Sequence, residues 1–179
     1  MSDRVRLDNI DRVFAILNVD GDGGISKDDF TSMAGGVVRE FGLDADSPQA
    51  RRLVGGYQDI WDYLRGADVD ADGVVGAAEF REAHTSGWVT TEVLVERWES
   101  ASRRCFEAAD DDGDGYIDLE GLAAIYRGGG VTDRKVAEAA FGAMDVDGRL
   151  DWAELSAHVQ GLFTATDESA KGARMVSGD

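Results

Sequence analysis

Asp68, Asp70 and Asp72 stand at alternate positions, Gly73 follows at once, and Glu79 comes eleven places after Asp68. Carboxylates at that spacing converge on one point, which suits a small hard dication that needs six to eight oxygens at short range. Glu79 would close the shell with both carboxylate oxygens, and the Val74 carbonyl would add another. Gly73 falls where the chain must turn sharply, and Gly76, without a side chain, can contribute only through a bridging water. An acidic surface turn is the competing reading. It gives no reason for an Asp-x-Asp-x-Asp-Gly run to end in Glu at the twelfth place.

The template recurs. Asn18, Asp20, Asp22, the Gly24 carbonyl and Ser26, directly or through water, repeat the order, with Asp29 at the closing place. Asp29 is one methylene shorter than Glu and reaches an ion less easily with both oxygens. That narrows the preference for Ca2+ over six-coordinate Mg2+, so a mixed or weakened site is expected. Asp110, Asp112, Asp114, the Tyr116 carbonyl and Asp118 form a third set whose closing residue is Gly121; Glu120 stands one place early and is expected to point away. Five aspartates within residues 110–118 repel one another unless a cation sits among them, so a metal is expected there despite the missing ligand. A fourth copy is damaged. Counting back from Glu154 puts Ala143 in the first place, whereas the pattern of Ala140, Phe141 and Met144 wants Asp145 there. The segment Asp145–Glu154 therefore reads as a loop shortened by two residues, with Arg149 bringing positive charge among its ligand places, and a structural role is expected of it.

Loops of this kind need helices on both sides to hold them. Ile10, Val13, Phe14 and Leu17 share one face of a helix expected from about Leu7, and Phe30, Met33, Ala34 and Val37 do so on the exit side of the first loop. Ser47-Pro48 reads as a helix start, and the helix through Tyr57, Ile60, Trp61 and Leu64 enters the second loop. Thr90 is the expected cap of a long helix through Leu94, Trp98, Cys105 and Phe106, and Thr132 that of the last entering helix. Paired loops are expected to touch through short antiparallel contacts at their eighth places, matching Ile25 with Val75 and Ile117 with Leu150. The organisation expected is a first pair over 1–89, a second over 90–165 and a loose tail over 166–179.

The formal charge of −18 argues against nucleic-acid binding, which needs a basic footprint, and the acid clusters at two-residue intervals in the loops. No apolar run has the length of a membrane span and the N-terminus lacks the pattern of a signal peptide, so no membrane partner, a cytoplasmic location and a monomer are expected. Cys105 is the single cysteine, on an apolar helix face, and reads as a buried thiol. His84 and His158 read as packed histidines, since no second His or Cys stands at metal spacing.

Four helix-loop-helix units, one degenerate, with an aspartate closing the first loop and a long link inside the first pair, resemble EF-hand proteins. They are most similar in pattern to the sarcoplasmic calcium-binding proteins and the bacterial, actinomycete calerythrin-like proteins. The resemblance reaches to about residue 164. It implies an all-α fold of four EF-hands in two pairs, forming one compact globular bundle of eight helices, unlike the extended dumbbell of calmodulin.

The leading functional reading is an intracellular Ca2+ buffer, with Mg2+ competing at the first loop. The alternative of a calcium sensor that changes shape to bind a protein partner needs an apolar, Met-rich groove, and the chain has four methionines, one initiating and one near the C-terminus. A third reading, a carrier of a hydrophobic small molecule, would use Trp61, Trp88, Trp98 and Trp152 to line a cavity. Enzymatic activity is not expected: no nucleophile and base pair stands out, and metal binding accounts for the acidic clusters.

Overall fold

Short polar caps mark where several of the helices begin. In the computed structural model, described over residues 3–144 and 147–164 with side chains from Asn9 onward, helix α1 (Asp3–Leu17) starts earlier than the expected Leu7 and buries Ile10, Val13 and Leu17. Strand β1 (Gly24–Ser26) leads into α2 (Lys27–Glu40), where the Ser26 hydroxyl accepts from the Asp28 amide. Ser47 caps α3 (Pro48–Leu64) by accepting from the Ala50 amide, with Pro48 at the first helical place, as expected. A 3-10 turn, Arg65–Ala67, precedes β2 (Val74–Gly76) and α4 (Ala77–Thr85).

The second half repeats the plan: α5 (Thr91–Ala109), β3 (Tyr116–Ile117), α6 (Leu119–Gly128), α7 (Arg134–Met144), β4 (Leu150–Asp151) and α8 (Trp152–Thr164). Thr90 caps α5 by accepting from the Val93 amide. Thr132 does not cap α7. The helix starts later, so the first free amides lie within reach of Asp133, whose Oδ1 accepts from the Lys135 amide at 3.0 Å. Both strand pairs are antiparallel in the expected register, Ile25 opposite Val75 and Ile117 opposite Leu150.

The fourth loop is short for a visible reason. In the first three hands the helical turn ends at Leu17, Ala67 and Ala109, and the eighth-place residues are Ile25, Val75 and Ile117. In the fourth, α7 continues to Met144 and Leu150 follows two residues sooner. Asp145 and Val146 lie outside the described residues, as does the segment 165–179 read as a tail.

Among the described residues two cores form, and they are not confined to the two halves of the sequence. Phe30, Phe80, Ile60 and Leu64 of the first pair are joined by Leu94 and Cys105 of α5 and by Leu162 and Phe163 of α8. Burying a phenylalanine as fully as Phe163 stabilises by about 2–3 kcal/mol, so α8 fastens one lobe to the other. The second core gathers Phe106, Leu122, Phe141, Met144, Leu150 and Leu155. Where the lobes meet lies a mainly apolar cavity of about 240 Å³. Its wall includes Trp98, but the other tryptophans expected there are elsewhere: Trp61 packs near Phe30, Trp152 meets Phe106 edge-on, and Trp88 is half exposed and stacked on Tyr63. Trp61 and Trp152 follow the faces of α3 and α8, whereas Trp88 lies in the turn between α4 and α5.

Candidate metal centre

Each loop is shaped by carboxylates that accept amides two places further on. In the first loop the Asp20 and Asp22 side chains accept from the Asp22 and Gly24 amides at 3.1 and 2.9 Å. In the second, Asp70 and Asp72 accept from Asp72 and Val74 at 3.2 and 2.8 Å; in the third, Asp112 and Asp114 accept from Asp114 and Tyr116 at 3.1 and 2.9 Å. These turns lead the chain to Gly24, Val74 and Tyr116, whose carbonyls stand at the start of the strands.

The sixth place turns through positive φ in every loop, at Gly23, Gly73, Gly115 and Gly148. A second such turn was not anticipated from the sequence. The fourth place is also left-handed, at Gly21 and Gly113 and, with a side chain to accommodate, at Ala71 with φ 60°. The signal was present as glycine in two of the three loops.

Convergence differs among the loops. Among the described residues, Asp68, Asp70 and Glu79 bring one oxygen each within 4.8 Å of one another, and Asp110, Asp112 and Asp114 do the same. Asp20, Asp22 and Asp29 form no such group. Asp29 is 3% exposed, and its carboxylate accepts from the amides of Val19 (2.9 Å), Asp20 (3.3 Å) and Ser26 (2.8 Å) and from the Ser26 hydroxyl (3.1 Å). Glu79 accepts from Val69 and Gly76 at 2.8 and 2.9 Å, and its extra methylene lets it do so while lying near the aspartates. The shorter side chain is held back at the loop's edge.

In the third loop Asp118 caps α6, its Oδ1 accepting from the Gly121 amide at 2.8 Å. Glu120 points away, as expected, because Arg134 of α7 holds it in a two-pronged ion pair that pulls its carboxyl below the usual range. Arg149, from the fourth loop, lies 3.8 Å from the Tyr116 ring centroid and borders the same acidic hollow. In the fourth loop Glu154 accepts from the Asp151 amide as Glu79 does from Gly76, so the closing position keeps its backbone hydrogen bond.

Two orphaned atoms test whether these residues suit a cation. Asn18 Oδ1 and Asp110 Oδ1, at the first ligand places of the first and third loops, are buried with no hydrogen-bond partner. A buried acceptor left unpaired costs about 1–3 kcal/mol, and a hard dication at the loop centre supplies what each lacks. The donor set, carboxylate, amide and carbonyl oxygen with neither sulfur nor imidazole, fits Ca2+ or Mg2+.

A family model described as EF hand matches residues 103–123. Calerythrin of Saccharopolyspora erythraea is 26% identical over 157 residues, 83% of this chain and 85% of that protein. The probable calcium-binding protein CML27 of Oryza sativa subsp. japonica is 29% identical over 163 residues, 84% and 80% of the two chains. Among solved structures, a Streptomyces coelicolor calcium-binding protein described in connection with prokaryotic calcium-mediated regulation superposes with TM-score 0.70 at 29% identity, covering 88% of this chain and 96% of its own. An apoaequorin complex also superposes with TM-score 0.70, at 20% identity over 99% and 92% of the two chains, a likeness of fold alone.

Proposed function

We propose, from the premise that this chain belongs to the EF-hand calcium-binding proteins, that it serves mainly as a cytoplasmic, monomeric Ca2+ buffer, with Mg2+ competing at the first loop. The second loop would hold Ca2+ through Asp68, Asp70, Asp72, the Val74 carbonyl and Glu79. The first would use Asn18, Asp20, Asp22, the Gly24 carbonyl, Ser26 and Asp29. The third would use Asp110, Asp112, Asp114, the Tyr116 carbonyl and Asp118, with water where Gly121 supplies nothing.

The observation that carries buffering over sensing is the contact between the lobes. A sensor opens each helix pair to expose an apolar groove. Here the exit helices α2 and α6 cross in backbone contact at Gly36 and Gly128, and Phe163 of α8 is fully buried in the first core. Opening either pair would pull these contacts apart. Dividing the chain at residues 89/90 into two pairs therefore describes its sequence repeats better than any independent motion.

A calorimetric Ca2+ titration with and without millimolar Mg2+, followed by a dye for exposed apolar surface, tests the reading. Three ions with weak dye response support it, two remove the third loop, and strong calcium-dependent dye binding turns the protein into a sensor. A second reading, carriage of a small hydrophobic molecule, is favoured by one observation, the cavity between the lobes.

A further inference from the structure

The shortened fourth loop reaches across to the third. Strands β3 and β4 pair Tyr116 with Asp151 and Ile117 with Leu150, so one place further the register sets Arg149 opposite Asp118. The Arg149 guanidinium lies 3.8 Å from the Tyr116 ring centroid and borders the same hollow as Asp110, Asp111, Asp112, Asp114 and Asp118. Of the residues around that hollow five are aspartates and one is a cation, so the cation's effect falls on this loop.

The first lobe has the same crossing without the charge. Arg149 stands just before Leu150, as Gly24, Val74 and Tyr116 stand just before Ile25, Val75 and Ile117. In the first lobe the two residues at this place meet as glycine and valine: a Cβ on Gly24 would stand 2.1 Å from Val74 Cγ1. In the second they meet as tyrosine and arginine. A position that is neutral in one pair of loops carries a positive charge in the other.

That charge acts on the third loop in two opposed ways. Without an ion the aspartates repel one another and Asp110 Oδ1 is buried with no hydrogen-bond partner; a guanidinium beside them relieves the repulsion. When a dication enters, the same guanidinium repels it. The Arg149 side chain is 49% exposed and its ion pair with Asp147 is loose, at 3.9 Å, so it is free to lean toward the aspartates or out to solvent. Salt therefore screens what it does.

We propose that Arg149 is a tethered counter-cation that competes with Ca2+ for the third loop, lowering that loop's affinity while stabilising its ion-free form. This rests on the third-loop metal assignment above. The test titrates the full chain, labelled with 15N, with Ca2+ against a competing chelator. The amide resonances of the sixth-place residues Gly23, Gly73 and Gly115 each report one loop; the Gly73 and Gly115 amides donate to the first-place carboxylates at 3.0 and 3.1 Å. Arg149→Met keeps the length of the side chain and loses its charge. It should raise the affinity read at Gly115 about fivefold at low salt, leave Gly23 and Gly73 unchanged, and lower the thermal midpoint in EGTA. Most of the gain should vanish in about 0.5 M KCl, and Arg149→Lys should stay within about twofold of the wild type. Arg149→Gln also removes the charge, and it decides if Arg149→Met does not fold. A Gly115 midpoint that neither uncharged variant moves, or a gain that Arg149→Lys or the other two loops share in full, overturns the proposal and spares the third-loop site. A Gly115 resonance that Ca2+ leaves unmoved in the wild type and in both uncharged variants overturns the site and the proposal together.

Discussion

Gly36 of α2 and Gly128 of α6 touch through their backbones: a Cβ on Gly36 would stand 1.9 Å from the Gly128 carbonyl oxygen, and one on Gly128 would stand 2.6 Å from the Val37 Cα. The crossing is flanked by the Arg127–Glu40 ion pair at 3.0 Å. Alanine is normally the better helix former by up to about 1 kcal/mol, but overlap with a backbone atom cannot be relieved by rotating a side chain. Gly36→Ala should therefore lower stability by about 1–3 kcal/mol in urea unfolding and raise the radius of gyration in solution scattering. Gly55→Ala, on α3 with nothing within 4 Å of the new Cβ, should be neutral or stabilising. Equal effects of the two substitutions would remove the crossing from the account.

Glu79 brings the second loop's carboxylates together. Glu79→Gln removes charge and one carboxylate oxygen from the shell while keeping the length of the side chain. Calorimetry should show at least a tenfold loss of affinity at one site and no change in the count at the others.

The closing residues of the other two loops should respond in opposite ways. A Cβ at Gly121 meets Ile117 at 3.4 Å and Ala109 at 3.5 Å, ordinary contact, so Gly121→Glu should restore the missing ligand and raise third-loop affinity about tenfold or more without loss of ion-free stability. Asp29→Glu should raise Ca2+ over Mg2+ selectivity at the first loop but lower ion-free stability, because the longer carboxylate must leave part of a buried set of four hydrogen bonds. Competition titrations and thermal melts in EGTA distinguish the two.

Cys105 makes stability sensitive to alkali. Burial holds its thiol at about 11 against an ordinary 9.0, and the facing Tyr57 hydroxyl, 3.4 Å away, is raised as well. Between those values the unfolded thiol releases its proton while the folded one keeps it, so stability is full below about pH 9 and falls as pH rises toward 11. Urea midpoints across that range should decline more in the wild type than in Cys105→Ala, and the native thiol should react with a disulfide reagent far more slowly than the unfolded one.

The three acidic loops were legible because oxygen donors at fixed offsets have few other uses, and strand register and most helix starts followed from local hydrogen-bonding rules. The shortened fourth loop was readable as a conflict between two ways of counting. The Thr132 cap was misplaced because the choice between neighbouring capping residues depends on where the helix begins.

The sequence alone determined the chemistry: which carboxylates, amides and carbonyls recur, where Asp29 and Gly121 depart from the pattern, and that a hard divalent cation is what they suit. Tertiary structure alone decided that Asp29 is tied up by four donors, that Arg134 holds Glu120 aside, and that α5 and α8 cross into the first lobe's core. It also decided that Asn18, at the start of the first acidic loop, borders a cavity. The reason is range. Ligand spacing is set by neighbours within one loop, whereas contact between helices distant in sequence depends on how two apolar faces fit, and no local spacing encodes that fit.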